Sequence, residues 1–354
     1  MNELLGIVSK GGKFDWDVQE YILYDAFSGS NPATNTITLD TPVPVGESFT
    51  MVSLCVSEER GKNFLVTAEL QTPVSGEWTE VYCRREDSNG FDNYVIIKVI
   101  TSKFFSVQMH TRYGYSDSAE PFTYTFSTVV DWGKTFLVGQ LTGGENEDRC
   151  TAVFESTSTT SFTIDKDTDF GETISTVTYI VTIDYAGAEV EEISVSMSGT
   201  TASANLANGQ SNTWAIYTFY VTERDESDVI PLGKWNGNSQ YDFSRVTSAG
   251  STEINAFFIT IPTLVVERKS FDAGDFPPQT LISETINSAT VGKTLINPVT
   301  PSGWGNARPD ITGVETRERH VSLYHQNSTT VQYRRSQDVS NANIFLSFES
   351  ITTE

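Results

Sequence analysis

Gly133-Lys134-Thr135 and Gly292-Lys293-Thr294 are two copies of the tripeptide on which a phosphate-gripping P-loop ends. In that loop the lysine reaches the phosphates and the hydroxyl holds magnesium. A glycine five residues ahead of the Gly-Lys pair lets backbone N–H groups wrap the anion. Counting back gives Thr128 and Asn287. Neither has glycine's access to positive φ. The text that follows, TFLVGQL and TLINPV, is extended rather than helical in character. A nucleotide site is not expected at either tripeptide, and the repetition needs another cause.

Other chemistry is sparse. Asp165, Asp167 and Asp169, followed by Gly171 and Glu172, echo the first half of a calcium loop, in which hard oxygens at alternate positions surround a hard cation. The glycine comes one place late and the twelfth position is Thr176 rather than glutamate. A solvated acidic turn is the stronger reading. Of the histidines, His110, His320 and His325, the last two are five apart. An odd spacing on a strand sends side chains to opposite faces, which suits no shared metal. No Gly-x-Ser-x-Gly elbow supports a hydrolytic triad. Trp78, Trp132, Trp235 and Trp304 sit at turns or strand beginnings and could stack on sugar rings. The plainer reading is that they plug sandwich ends or seams between repeats. Cys55, Cys83 and Cys150 form no Cys-x-x-Cys pair and read as small buried hydrophobes. No catalytic, cofactor-binding or metal residue is assigned from these patterns, and no enzyme is expected.

The elements around these residues are β throughout. Thr, Val, Tyr and Phe fill the apolar runs, and Gly, Asn, Asp, Ser and Pro break them. Almost no window carries the spacing of an amphipathic helix. With 46 acids against 23 bases, the formal charge is −23 over 354 residues. Such a surface repels nucleic-acid backbones and anionic lipid. No apolar run is long enough to span a membrane as a helix. The opening text MNELLGIVSKGG lacks a signal-peptide core and cleavage site, so synthesis in a cytoplasm without the usual export through a membrane is expected.

Repetition explains the tripeptides. Turn glycines fall at Gly46, Gly133, Gly209 and Gly292, in steps of 87, 76 and 83. Each is followed by a strand in which two apolar residues alternate and a base closes the run: Val81, Cys83, Arg85; Phe162, Ile164, Lys166; Tyr241, Phe243, Arg245; Val331, Tyr333, Arg335. The recurring bases are expected to pair with acids or cap carbonyls. Then comes the most apolar strand of each repeat: NYVIIKVI (93–100), TVTYIVTI (176–183), EINAFFIT (253–260) and ANIFLSFE (342–349). VQEYILYDAFSG, VQMHTRYG, VSMSGT and VVERKSFDAG open the repeats. The sequence thus predicts an all-β chain of four tandem small antiparallel β-sandwich repeats of about 80 residues. Their expected bounds are a leader at 1–17 and repeats at 18–103, 104–190, 191–263 and 264–354. Gly-Lys-Thr reads as a turn feeding a strand. Cuts near Lys103, Gly187 or Thr263 should release folded pieces, unless opening strands pair with a neighbouring unit.

With the repeat laid out, the order VVDWGKTFLV, FESTSTTSFTIDK, TVTYIVTIDY, VSMSGT resembles the tandem β-sandwich structural proteins of tailed-bacteriophage particles. The likeness runs loosely from 18 to 351 and is clearest in the second repeat. It departs at a two-residue insertion before Trp214 and at ITIP, where the closing acid is missing. The family carries no catalytic residues. The resemblance implies a non-enzymatic virion component assembled in the host cytoplasm, in the tail or adsorption apparatus (fibre, baseplate or appendage), or alternatively a capsid decoration or cement protein. Its implied partners are other virion proteins and further copies of itself in a symmetric assembly. An array of carbohydrate-binding modules, an adhesin contacting host-surface glycan, is the reading from another class.

Overall fold

The computed structural model describes residues 12–24, 27, 32–56, 65–86, 93–115, 121–143, 151–167, 174–221, 230–272, 281–287, 289–300, 302–303, 307–309, 321–335 and 344–353. The fold is all-β. The chain runs β1 (Asp17–Tyr24), β2 (Ala33–Pro44), β3 (Ser48–Val56), β4 (Thr67–Val74), β5 (Glu77–Arg85) and β6 (Asn93–Thr101). Next come β7 (Phe105–Tyr115), β8 (Phe122–Thr125), β9 (Thr135–Gly143), β10 (Thr151–Ser158), β11 (Ser161–Asp167) and β12 (Ile174–Ile183). β13 (Glu189–Met197), β14 (Thr201–Asn205), β15 (Thr213–Val221), β16 (Leu232–Trp235), β17 (Gln240–Ser244) and β18 (Thr252–Thr260) follow. The last set is β19 (Leu264–Asp272), β20 (Leu281–Thr285), β21 (Thr294–Asn297), β24 (Val321–Asn327), β25 (Thr330–Arg335) and β26 (Ile344–Thr353). It carries the short insertions β22 (Ser302–Gly303) and β23 (Ala307–Pro309). These sets are called the first to fourth units below.

One strand order recurs. The opening, closing and third strands of each unit make an inner sheet: β1-β6-β3, β7-β12-β9, β13-β18-β15 and β19-β26-β21. The second, fifth and fourth make an outer sheet: β2-β5-β4, β8-β11-β10, β14-β17-β16 and β20-β25-β24. All pairings within these sheets are antiparallel. The apolar closing strands are central in every inner sheet, as expected. The base-ended strands are central in every outer sheet, and their apolar pairs are buried: Val81 and Cys83, Phe162 and Ile164, Tyr241 and Phe243, Val331 and Tyr333. Period-two alternation points these pairs at the inner sheet. In the third unit Tyr217 meets Phe243 edge-on at 5.2 Å and Tyr241 meets Phe258 at 5.5 Å.

The third and closing strands of the inner sheets have no wet face. β9 is buried at every position and β12 at nearly every one. Such continuous burial requires a second layer behind the sheet. Neighbouring units supply it. β4 packs across β9 and β12, β10 across β15 and β18, β16 across β26, and β24 across β3 and β6. β10 also pairs with β15 at Ala152 and Phe219, and β22 pairs in parallel with β3. The fourth unit therefore returns to the first, and the four units close a ring.

Its centre is apolar. The residues two before each opening-strand valine, Trp16, Phe105, Ala188 and Leu264, and the second residues of the third strands, Phe49, Phe136, Trp214 and Leu295, are all buried in one cluster. Ring contacts link Phe49 to Phe136 (5.9 Å), Phe136 to Trp214 (5.8 Å) and Trp16 to Trp214 (6.3 Å). Phe14 and Trp16, which precede β1, are thus part of the core. Among the described residues one apolar cluster extends from Phe14 to Ile351. A separate, smaller one, including Ile286, Leu323, Tyr333 and Phe348, lies between the sheets of the fourth unit.

Candidate functional site: the joints between units

The Gly-Lys-Thr turns are where units meet. The carbonyl of Gly46 accepts from the N–H of Val107, that of Gly133 from Val190, and that of Gly292 from Val18, at 2.7, 2.8 and 2.7 Å. In each case the donor is in the opening strand of the next unit. The middle residue's carbonyl accepts from the end of its own unit's closing strand: Glu47 from Ser102, Lys134 from Ile183, Lys293 from Thr353. The third residue pairs hydroxyls with that strand's terminal threonine: Ser48 with Thr101, Thr135 with Thr182, Thr213 with Thr260, Thr294 with Thr352 (2.7–3.0 Å). Of the groups a P-loop would aim at phosphate, the Lys134 and Lys293 N–H groups donate to the Asp131 and Thr290 carbonyls, and the Thr135 and Thr294 hydroxyls are paired within the fold. Gly46 and Gly292 adopt φ of 82° and 87°, open to glycine at little cost. The third-to-fourth joint differs. There Arg268 donates to the carbonyls of Gln210 and Thr213 and stacks over Trp235 at 3.7 Å.

A second equivalent position lies three residues before those terminal threonines: Lys98, Tyr179, Phe257 and Glu349. All are buried. Three of them reach the outer sheet of the preceding unit. Lys98 Nζ donates to the Leu323 carbonyl at 2.7 Å. The Tyr179 hydroxyl donates to the Ala68 carbonyl and accepts from Leu70 N–H. Glu349 accepts from Trp235 Nε1 at 2.5 Å, from Ala215 N–H and from Asn297. In the third unit Asn255, two residues earlier than Phe257, takes this part by donating to the Phe154 carbonyl.

The fourth-to-first joint holds the densest titratable group. Glu20 lies 3.8 Å from Lys98 Nζ and 4.0 Å from His325 Nδ1, and it accepts from His325 N–H at 2.9 Å. Burial pulls the Lys98 ammonium down to about 8, against the pull of Glu20. Burial and the nearby Lys98 charge hold His325 down to about 4. Glu20 is raised by burial, with Lys98 and the His325 N–H working the other way. A depressed lysine beside a carboxylate and an imidazole could serve as a nucleophile with its base. Here its amine is 1% exposed and held by a carbonyl. The nearby cleft of about 980 Å³ is lined by Lys13, Asp15, Asp17, Glu47, Lys103 and Lys293 among others, and not by this trio. Lys293 bridges Asp15 and Asp17 at 2.7 and 2.9 Å across the same joint. The trio ties two sheets together.

The other candidates scatter. His110 packs on Tyr124 (4.2 Å) and Phe162 in the second unit, far in sequence from His325, while His320 lies outside the described residues. Of the 165–172 turn, Asp165 is exposed on β11, and Asp169, Gly171 and Glu172 lie outside the described residues. No group of three or more His, Cys, Asp or Glu among the described residues could hold a metal. Trp132 donates to the Ser158 carbonyl, Trp235 is covered by Arg268, Trp78 is half-buried, and Trp304 lies outside the described residues. Arg85 donates to the Phe27 carbonyl; Arg245 donates to the carbonyls of Gly199 and Gly250 and to Thr252. Both cap carbonyls inside their units, while the side chains of Lys166 and Arg335 lie outside the described residues. Cys83 is buried and its thiol pushed up by burial; the side chains of Cys55 and Cys150 lie outside the described residues. No described helix is long and apolar enough to cross a membrane.

Sequence reading missed Lys98, Glu349 and Arg268. The signal was present: a lone charge inside VIIKVI and another inside IFLSFES, at one position of the repeat. No family model matches the chain, and no curated protein matches it in sequence.

Proposed function

We propose that this protein is a non-enzymatic structural component of a tailed-bacteriophage particle. The observation that carries the reading is the use made of its buried polar groups. Lys98, Tyr179, Asn255 and Glu349 each bond a neighbouring unit, and Arg85 and Arg245 cap carbonyls, so these groups join and stiffen the chain. The resemblance of the repeat text to tandem-sandwich virion proteins supplies the setting. Ring closure favours a compact node, as in a baseplate, an appendage base or a cement protein, over a spacer that gains reach from sandwiches in a string. The acidic surface suits a partner with basic patches and disfavours nucleic acid. A glycan-binding reading draws little support, because Trp132 and Trp235 have their N–H groups engaged and Trp235 has one face covered.

Mass spectrometry of gradient-purified particles tests the reading. Stoichiometric presence, in a fixed ratio to a major structural protein, is expected. Absence from particles in which the other structural proteins are found would end it.

A further inference from the structure

The first-to-second, second-to-third and third-to-fourth joints are imposed by short connections along the chain, such as the three residues between β6 and β7. No connection imposes the fourth-to-first joint, yet it repeats their contacts. Val18 bonds Gly292 as Val107 bonds Gly46, and Lys98 reaches Leu323 as Tyr179 reaches Ala68. We infer that this joint is also an interface between copies. The β20-β25-β24 sheet of one chain docks on the β1-β6-β3 sheet of a second with the contacts it makes within one chain.

Three observations favour exchange at this joint. Its outer part is held by directed polar contacts: Lys98 to Leu323, Leu323 N–H to Ser53, His325 N–H to Glu20. The apolar cluster between the two sheets of the fourth unit is separate from the main core, so it stays closed when both sheets leave the first unit together. The docking position is chemically distinct in each unit, lysine, tyrosine, phenylalanine or glutamate, so a free β24 is addressed to the one inner sheet that offers Lys98 and Glu20. Exchange of identical elements between copies adds no new contact type and costs little. A head-to-tail joint of this kind closes as a dimer of eight units or propagates as a filament, depending on the angle it sets. The partner is thus a second copy of this chain. The inference goes beyond a role in a particle and does not depend on it.

The test uses full-length protein. Light and heavy-isotope chains are unfolded together and refolded over a range of concentrations, then weighed by native mass spectrometry. Dimers are expected to grow with concentration, with about half of the dimer signal mixed-isotope, as random pairing of equal populations requires. A variant pair then locates the interface. Lys98→Glu spoils the first-unit side and His325→Glu the fourth-unit side, each by setting a carboxylate against Glu20. Each variant alone weakens the joint alike in the closed monomer and in the dimer, whereas their mixture should form a 1:1 heterodimer, in excess over both homodimers, through its one intact joint. Monomer at every wild-type concentration would overturn the inference. So would a variant mixture whose heterodimer does not exceed the share that random pairing gives. Should either variant fail to fold, the wild-type arm still decides whether copies exchange.

Discussion

The N–H of Val18 donates to the carbonyl of Gly292 at 2.7 Å, joining β1 to the turn of the last Gly-Lys-Thr. The same bond recurs at Val107 with Gly46 and at Val190 with Gly133, so the tripeptide repeats because the joint repeats.

The turn glycines should not be equivalent to mutation. Gly292 sits at φ 87°, where an L side chain is strained, so Gly292→Ala should cost about 1–2 kcal/mol. Gly133 is not in that region, and an added Cβ would meet only the Asp131 carboxylate, with Oδ1 at 3.2 Å. Gly133→Ala should cost less than about 1 kcal/mol. Urea titration of both variants checks the order; equal losses would contradict it.

Arg245→Ala should be among the most damaging single changes. It takes the guanidinium away from the part-buried carbonyls of Gly199 and Gly250 and from the buried Thr252 hydroxyl. With about 1–3 kcal/mol for a buried polar group that loses its partner, and less where it is part-buried, a loss of about 2–3 kcal/mol is expected in chemical unfolding. A change within about 0.5 kcal/mol would place the arginine among ordinary surface residues.

Glu349 sets a pH dependence whose sign is fixed. Burial pushes its carboxyl up to about 6, although Trp235, Ala215 and Asn297 donate to it. The folded chain therefore holds this proton more tightly than the unfolded chain does. Between the ordinary glutamate range and about 6, stability contributed by this group falls as pH rises, by about 2 kcal/mol in all. Glu349→Gln should flatten that part of the stability–pH curve relative to wild type. Parallel curves for the two proteins would show that Glu349 does not titrate there.

Much of the fold was legible in the sequence. The alternating pairs Val81/Cys83 and Tyr241/Phe243 announce a sheet with one buried face, and runs such as TVTYIVTI announce central strands buried on both. Arg85 and Arg245 recur at strand ends and cap carbonyls, one of the two roles expected of them. Ring closure was not legible, because it depends on contacts such as Lys98 with Leu323 that leave no periodic mark. Lys98 could be seen as an anomaly in an apolar strand, but its acceptor is a backbone carbonyl, which no residue type advertises.

That shared burial changes the expectation for isolated units. A fragment of residues 104–190 contains both sheets of the second unit, which from sequence alone favours independent folding. In the ring, however, Gln140 bonds Thr50 and Ala68, Tyr179 bonds Ala68 and Leu70, and Phe136 packs on Phe49 and Trp214. Cutting the unit out exposes those groups together. The fragment should aggregate or give poorly dispersed amide signals, while the full chain unfolds as one cooperative unit. A well-dispersed spectrum from the fragment would show that the unit holds its own core.

Lysine cross-linking of dilute full-length protein, read by mass spectrometry, tests ring closure most directly. Lys103 and Lys293 line the same cleft although they belong to the first and fourth units, with Lys13 beside them. Closure predicts abundant intramolecular links from Lys293 to Lys103 or Lys13 in the monomer band. Links confined to lysines within a unit or in adjacent units along the chain, with none between the first and fourth, would mean an open string and contradict the ring.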